Sequence, residues 1–233
     1  LGLLAETFSD EDDLEVVRRL SERIVTEADR AANTIDDLLE LSRIEFADDA
    51  EMEDLALDDV ITEAVARIDT AAEQAGVKVR TEINASVVMN GDRRQLVSAV
   101  FNLLDNAVKY SVDGGEVEVT AHLEENGGTA VVEVTDHGIG IPARAQDRIF
   151  ERFYRVDRAR ARNTGGTGLG LAIVRHVMAN HGGDIEVRSL EGRGSVFTLV
   201  MPCKPVPATE TARSRRDTEQ RSEAGHHQDG EAP

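Results

Sequence analysis

Two asparagines, Asn102 and Asn106, stand four residues apart in the run Asn102-Leu-Leu-Asp-Asn-Ala-Val-Lys-Tyr110, and on a helix they share one face. Lys109 comes three residues after Asn106 and joins that face, and Tyr110 flanks it. Leu103, Leu104, Ala107 and Val108 supply the apolar side that packs inward. A neutral carboxamide offers its oxygen to a hard cation such as Mg²⁺ without adding charge, and an ammonium attracts phosphate. Taken alone, the run also reads as an amphipathic surface helix with two solvated amides.

Three further stretches bear on the same chemistry. Asp136-His-Gly-Ile-Gly-Ile141 comes directly after a strand. A carboxylate at a strand end can accept from an exocyclic amine, and glycines let a flat ring approach the backbone. A tight turn with an acidic first residue is the plainer reading. Gly165-Gly-Thr-Gly-Leu-Gly-Leu171 places four glycines in six residues at the start of a helix. Its exposed amides and the positive end of the helix favour an anion such as phosphate. A hinge loop would use glycine as well. No strand precedes this segment, so it is not a dinucleotide fingerprint, and it lacks the Gly-Lys-Ser/Thr of a P-loop. Between the two glycine segments lies Phe150-Glu-Arg-Phe-Tyr-Arg155. Arg155, Arg158, Arg160 and Arg162 are of the type that pairs with phosphate, and the last three read equally well as a solvated face.

The elements that position these residues can be read from pattern. Residues 11–46 contain no Gly or Pro, and apolar side chains recur there in steps of three and four. That predicts a long helix, capped by Ser9 or Asp10, with a seam suited to a partner helix. Such a stripe needs residues 1–8, another chain, or both, to cover it; the alternative is packing on the domain after it. After an acidic linker, strands are expected at 55–60, 77–83, 87–90, 116–123, 129–135, 184–187 and 195–201. Helices are expected at 61–75, from Asp92 as N-cap through the asparagines, near 143–150 and at 168–180. This order suits an α/β fold, a two-layer sandwich with a mixed sheet covered by helices on one face.

Composition sets limits. The net charge of −19 argues against nonspecific contact with nucleic acid or an anionic membrane surface. One cysteine, Cys203, rules out an internal disulfide framework and a cysteine zinc cluster, and a reducing cytoplasm is the simplest setting. No apolar run approaches the length of a membrane span. Past Pro202 the composition collapses to polar and small residues, so residues 205–233 are expected to be disordered, with His226 and His227 part of that solvated tail.

The four blocks, in this order, resemble the nucleotide-binding boxes of sensor histidine kinases, in the GHKL superfamily of ATP-binding domains. The match runs over about residues 55–201. The end of the long helix, Asp-Asp-Leu-Leu-Glu-Leu-Ser-Arg, resembles the second helix of that family's dimerisation and phosphoacceptor hairpin. The resemblance implies residues 1–47 as a remnant of the hairpin, 48–54 as linker, 55–204 as catalytic domain and 205–233 as tail. It implies ATP and Mg²⁺ as ligands. Asn106 would hold the metal, Asn102 would assist, Lys109 would contact phosphate and Tyr110 would lie against base or sugar. Asp136 would read the adenine amine in a pocket shaped by Gly138, Gly140 and Ile141. Phe150 and Phe153 would anchor a lid, and Arg155 would approach the γ-phosphate. Gly166, Thr167, Gly168 and Gly170 would line the phosphates, with Leu169 and Leu171 packed beneath. Asn102, Lys109 and Arg155 would then carry the catalysis. A response-regulator receiver domain and a homodimer, weak for this chain, are the implied partners; the implied setting is the cytoplasm, with the full-length protein anchored in the membrane.

One departure stands out. The family's phosphoacceptor histidine lies in a His-Glu/Asp-Leu-Arg-Thr-Pro context, and none of the six histidines here does. Leu1-Gly-Leu-Leu resembles the segment shortly after that box, which implies a chain beginning just downstream of the histidine. His176 and His181 are expected to pack or cap. Relatives that hydrolyse ATP use a glutamate general base where this chain has Asn102, and a carboxamide cannot take a proton from water. A nucleotide-sensing inhibitor or an anti-sigma type serine kinase is the alternative, and the long seam helix counts against it.

Overall fold

The computed structural model describes residues 14–45, 51–83, 87–112, 114–125, 127–156 and 166–204. The expected cap at Ser9 or Asp10, residues Arg158, Arg160 and Arg162, Gly165 and the tail 205–233 lie outside them.

A long helix, α1 (Leu14–Glu45), comes first. Strand β1 (Glu53–Ala56) leads straight into α2 (Leu57–Gln74), and then come β2 (Lys78–Ile83) and β3 (Val88–Gly91). Next are α3 (Arg93–Tyr110), β4 (Glu116–Leu123), β5 (Thr129–Asp136) and the short α4 (Ala143–Gln146). The domain closes with α5 (Gly170–Asn180), β6 (Asp184–Leu190) and β7 (Gly194–Pro202). The strand expected at 55–60 is shorter than its pattern suggested. Leu57, Val60 and Ile61 are buried on the first turns of α2, so their apolar spacing serves a helix face.

Five strands form the main sheet in the order β2-β4-β5-β7-β6. β2 and β4 are parallel, and the other neighbours are antiparallel. The inner face carries Val117, Val119, Ala130, Val132, Val134, Phe197 and Leu199, all buried. The period of two along each strand leaves Glu133, Arg188 and Thr198 on the other face, where Arg188 pairs with Glu133 at 2.9 Å. Helices α2, α3 and α5 cover the inner face through Ile61, Ile68, Leu96, Leu103, Leu104, Ile173 and Val177. This is the expected two-layer α/β sandwich. Beside it β1 and β3 form a small antiparallel ribbon that pairs Leu55 with Met89. Lys204 closes the ribbon, through its amide to the Val88 carbonyl at 3.0 Å and its ammonium to the Asp54 carboxylate.

The last turns of α1 dock on α5. Leu41 and Ile44 are buried, and the Asn180 side chain donates to the Ile44 carbonyl at 3.0 Å. Glu45 pairs with Arg152 and with His176, the latter at 2.9 Å. So packing on the domain accounts for this end of the helix. Further up, Ile35 at 57% and Leu38 at 41% exposure leave that part of the seam open, while Leu20 is buried.

The start of α3, which carries both asparagines, is fixed by a side-chain cap. Asp92 accepts from the amides of Arg94 and Gln95 at 2.9 and 3.2 Å. The amide of Asp92 itself donates to Nε2 of the buried His181 at 2.9 Å. That amide can only donate, so Nε2 is the acceptor and Nδ1 carries the proton given to the Val177 carbonyl. Replacing Asp92 with Ala orphans two amides at the helix end and is expected to cost about 1–2 kcal/mol. Urea unfolding checks this as a lower midpoint at unchanged slope.

Candidate functional site

On α3 the amide of Asn102 has a single workable orientation. Its Nδ2 donates to the Ser98 carbonyl at 3.0 Å and lies 3.3 Å from the Ser98 hydroxyl oxygen. A carbonyl only accepts, so Oδ1 must point the other way. There it meets the start of α5, where a Cβ on Gly170 would fall 2.5 Å from Oδ1. A side chain at 170 would therefore force the Asn102 amide to shift. One turn on, Asn106 is half-buried, and its side chain makes no hydrogen bond among the described residues. Lys109, expected on phosphate, is paired with Asp105 at 2.5 Å.

The loop after β5 is wedged between two backbones. Asp136 is buried, and its Oδ1 accepts from the Gly138 amide at 2.8 Å. A Cβ on Gly138 would lie 2.0 Å from the Tyr110 carbonyl oxygen, and one on Gly140 would lie 2.1 Å from that of Leu190. Gly140 also has φ +66°, which side chains rarely adopt. The Ile139 amide donates to the Tyr110 carbonyl at 3.2 Å. The Ile141 amide donates to the Ser189 hydroxyl at 2.7 Å, while Gln146 Nε2 donates to the Ile141 and Ser189 carbonyls. Burial pushes the Asp136 carboxyl above its usual range, against the Gly138 amide and Ser195, which favour its charged form.

The segments around 150 and 166 meet as well. Phe150 is half-buried against the core, as is Tyr154, on whose ring the Arg148 guanidinium lies 4.3 Å from the centroid. Phe153, expected to anchor the lid, has its side chain 56% exposed, and its backbone sits at φ +62°. Its amide instead donates to the Gly168 carbonyl at 2.9 Å, and Gly168, at φ +78°, has Phe153 backbone atoms where a Cβ would lie. Arg155 donates to the Gly166 carbonyl. Leu169 is fully buried and Leu171 half-buried, both against the core as expected. No side chain caps the N-terminus of α5.

The structure thus brings Asn102 to the glycine segment, and Asp136 to Gly138, Gly140 and the end of α3 at Tyr110. Sequence reasoning missed Ser98, Ser189, Gln146 and Asp37. The first three act on backbone or amide groups, and no spacing rule announces them. Asp37 reads as one more acid on a solvated helix face, yet it accepts from the Thr167 hydroxyl at 2.5 Å.

An α/β sandwich with a carboxamide face, a buried carboxylate beside glycine backbone, and an uncapped helix start defines a nucleotide-binding domain. Residues 91–205 match the family profile of histidine kinase-, DNA gyrase B- and HSP90-like ATPases. The sensor-like histidine kinase SenX3 of Mycolicibacterium smegmatis is 42% identical over 213 residues, 91% of this chain and 55% of that protein. The solved mycobacterial sensor histidine kinase MprB is 31% identical with a TM-score of 0.59, covering 66% of this chain and 99% of that one. Full-length ShkA in complex with AMPPNP is 26% identical with a TM-score of 0.67, covering 85% of this chain and 40% of that one. The chain belongs to this ATPase family, in its sensor histidine kinase branch. It spans about half the length of the curated relatives it matches.

Two measurements check the site's geometry. Gly170→Ala is expected to drive the Asn102 amide off its orientation and to destabilise the domain by about 1–3 kcal/mol, as overpacking does; thermal unfolding reads it. Asp136 gives a pH test. Its folded-state pKa lies above the unfolded 3.8, so its contribution to stability is full below 3.8 and is lost as pH rises through the folded value. Asp136→Asn abolishes that loss. The stability of the variant relative to the parent should therefore improve as pH rises above 3.8, measured by urea midpoints.

Proposed function

We propose that this chain is the ATP-binding catalytic core of a histidine protein kinase in a two-component signalling system. The observation that carries it is the fixed Asn102 amide, whose oxygen faces the glycine-bearing start of α5. A nucleotide seated there lays its phosphates between α3 and the N-terminal amides of α5, with Lys109 and Arg155 supplying positive charge. Its adenine amine reaches Asp136, and Gly138, Gly140 and Ile141 shape the pocket beside Tyr110. Gly166, Thr167 and Gly168 line the phosphate side.

Mg²⁺ fits this donor set, because the Asn106 carboxamide is a neutral oxygen ligand with no competing partner among the described residues. When bound, the ion would supply positive charge that offsets the charge of the phosphates. The chain's own contribution is positioning: the imidazole of a histidine attacks the γ-phosphorus, a P–N bond forms, and the bond to the ADP oxygen breaks. The phosphoryl group then passes to an aspartate of a response-regulator receiver domain. Asn102, a carboxamide, cannot serve as the base that hydrolysis needs.

We divide the chain into a hairpin remnant (1–47), a linker (48–54), the catalytic domain (55–204) and a tail (205–233). The open seam of α1 suits pairing with a second copy in the full-length protein, and a weak dimer for this chain. Among the described residues no helix is long and apolar enough to cross a membrane. We place the domain in the cytoplasm, in a longer protein held at the membrane.

The test is transfer in trans. With labelled ATP and Mg²⁺, a separate segment carrying a His-Glu-Leu-Arg box is expected to acquire acid-labile label while this chain does not. Asn106→Ala is expected to lower that rate about 10–100-fold, the usual scale for loss of support to a metal. Label on a serine, or no label with ATP bound, would count against the proposal.

A further inference from the structure

Among the described residues, Asp37 is the carboxylate of α1 that reaches the glycine segment. It is half-buried, although Asp36 beside it on the helix is exposed. Its Oδ2 accepts a hydrogen bond from the hydroxyl of Thr167, a residue 130 positions away in the chain. Burial raises its pKa, the Thr167 bond and the charge of Lys109 lower it, and Asp105 and Asp36 raise it again. Asp37 therefore sits within electrostatic reach of Lys109 and Asp105, on the asparagine-bearing helix.

The placement is not accidental fraying. One to two turns further on, α1 is held by buried Leu41 and Ile44, by the Asn180 bond to the Ile44 carbonyl, and by Glu45 with Arg152 and His176. The docked end delivers the Asp37 carboxylate to a fixed spot. It meets there a hydroxyl on the glycine segment, and it feels the charge of the Lys109 ammonium, which is itself paired with Asp105; both are groups a nucleotide phosphate would use. A hydroxyl has one proton, so while Thr167 donates it to Asp37 it has none for a phosphate oxygen. Two anions at this range also repel.

We propose that Asp37 is an internal anion occupying the phosphate subsite, so that docking of α1 and binding of ATP oppose each other. This rests on the nucleotide-binding reading above. Linkage makes the effect reciprocal: α1 weakens ATP binding by the same factor by which ATP loosens α1. The device needs no new conformation of the nucleotide site. It needs only that the end of α1 leave.

The experiment measures ATP·Mg²⁺ affinity by calorimetry for the parent chain, Asp37→Asn, Asp37→Ala and Asp36→Asn, with hydrogen exchange of the α1 amides with and without nucleotide. Expected is an affinity gain of at least about fivefold for both Asp37 variants, the lower end of common coupling. Asp36→Asn should stay within about twofold, since an exposed charge acts weakly through water. In the parent chain, ATP should speed exchange near Leu41. Equal affinity in all four proteins with unchanged exchange overturns the proposal and leaves the nucleotide reading standing. An equal gain in Asp36→Asn also overturns it, because that is a general charge effect. No ATP binding by any of them overturns both.

Discussion

Backbone pressed against backbone around Asp136 is the constraint on which the rest depends. The loop after β5 has the Tyr110 carbonyl on one side and the Leu190 carbonyl on the other, each about 2 Å from where a Cβ would stand on Gly138 or Gly140. Gly194 completes the set, its missing Cβ lying 2.0 Å from the Asp136 carbonyl oxygen. Three chain segments far apart in sequence are thereby locked at main-chain distance: the end of α3, the end of β5 and the turn between β6 and β7. No side chain intervenes, so their spacing cannot adjust by a rotamer change. A carboxylate held in such a frame is preorganised, which is what the proposed recognition of an adenine amine would require.

The same economy of side chains governs the other half of the site. Asn102 is aimed by Ser98 on its own helix, and the space before its oxygen exists because residue 170 is glycine. α3 can hold this position because its opposite face is buried through Leu96, Leu103, Leu104 and Ala107 between α2, α5 and the sheet. His181 ties the start of α3 to the end of α5 through the Asp92 amide. Both helices that frame the proposed phosphate side are thus joined through a buried polar contact at one place and through an absent side chain at another.

Much of this was legible in the sequence. The alternation of Val117, Val119 and Ala121, and of Ala130, Val132 and Val134, announced strands with one buried face. Asp92 announced its cap, and the glycine runs announced close approach. Apolar spacing at 55–60 misled, because a short strand running directly into a helix leaves too few residues for either period to show. Phe153 misled through its neighbours: an aromatic beside Phe150 reads as a second anchor, yet a left-handed backbone turns it outward. The contacts of Asp37, Ser189 and Gln146 had no signal at all. Each joins residues whose proximity is a property of the packed domain and not of any local pattern.

The charge balance explains why these few contacts matter. A chain of net charge −19 offers no general attraction to a polyphosphate. Near the asparagine face, Asp37 and Asp105 stand against Lys109, and the first turn of α5 carries no charged side chain. On the proposed nucleotide reading, attraction would come from groups of fixed position: helix amides, one ammonium, the Arg155 guanidinium and a carboxamide able to seat a cation. Each of these acts at short range, where water and salt screen least. On that reading selectivity would be a matter of geometry, since an anion lacking the spacing between the Asp136 frame and the start of α5 would gain nothing from a protein that repels it elsewhere.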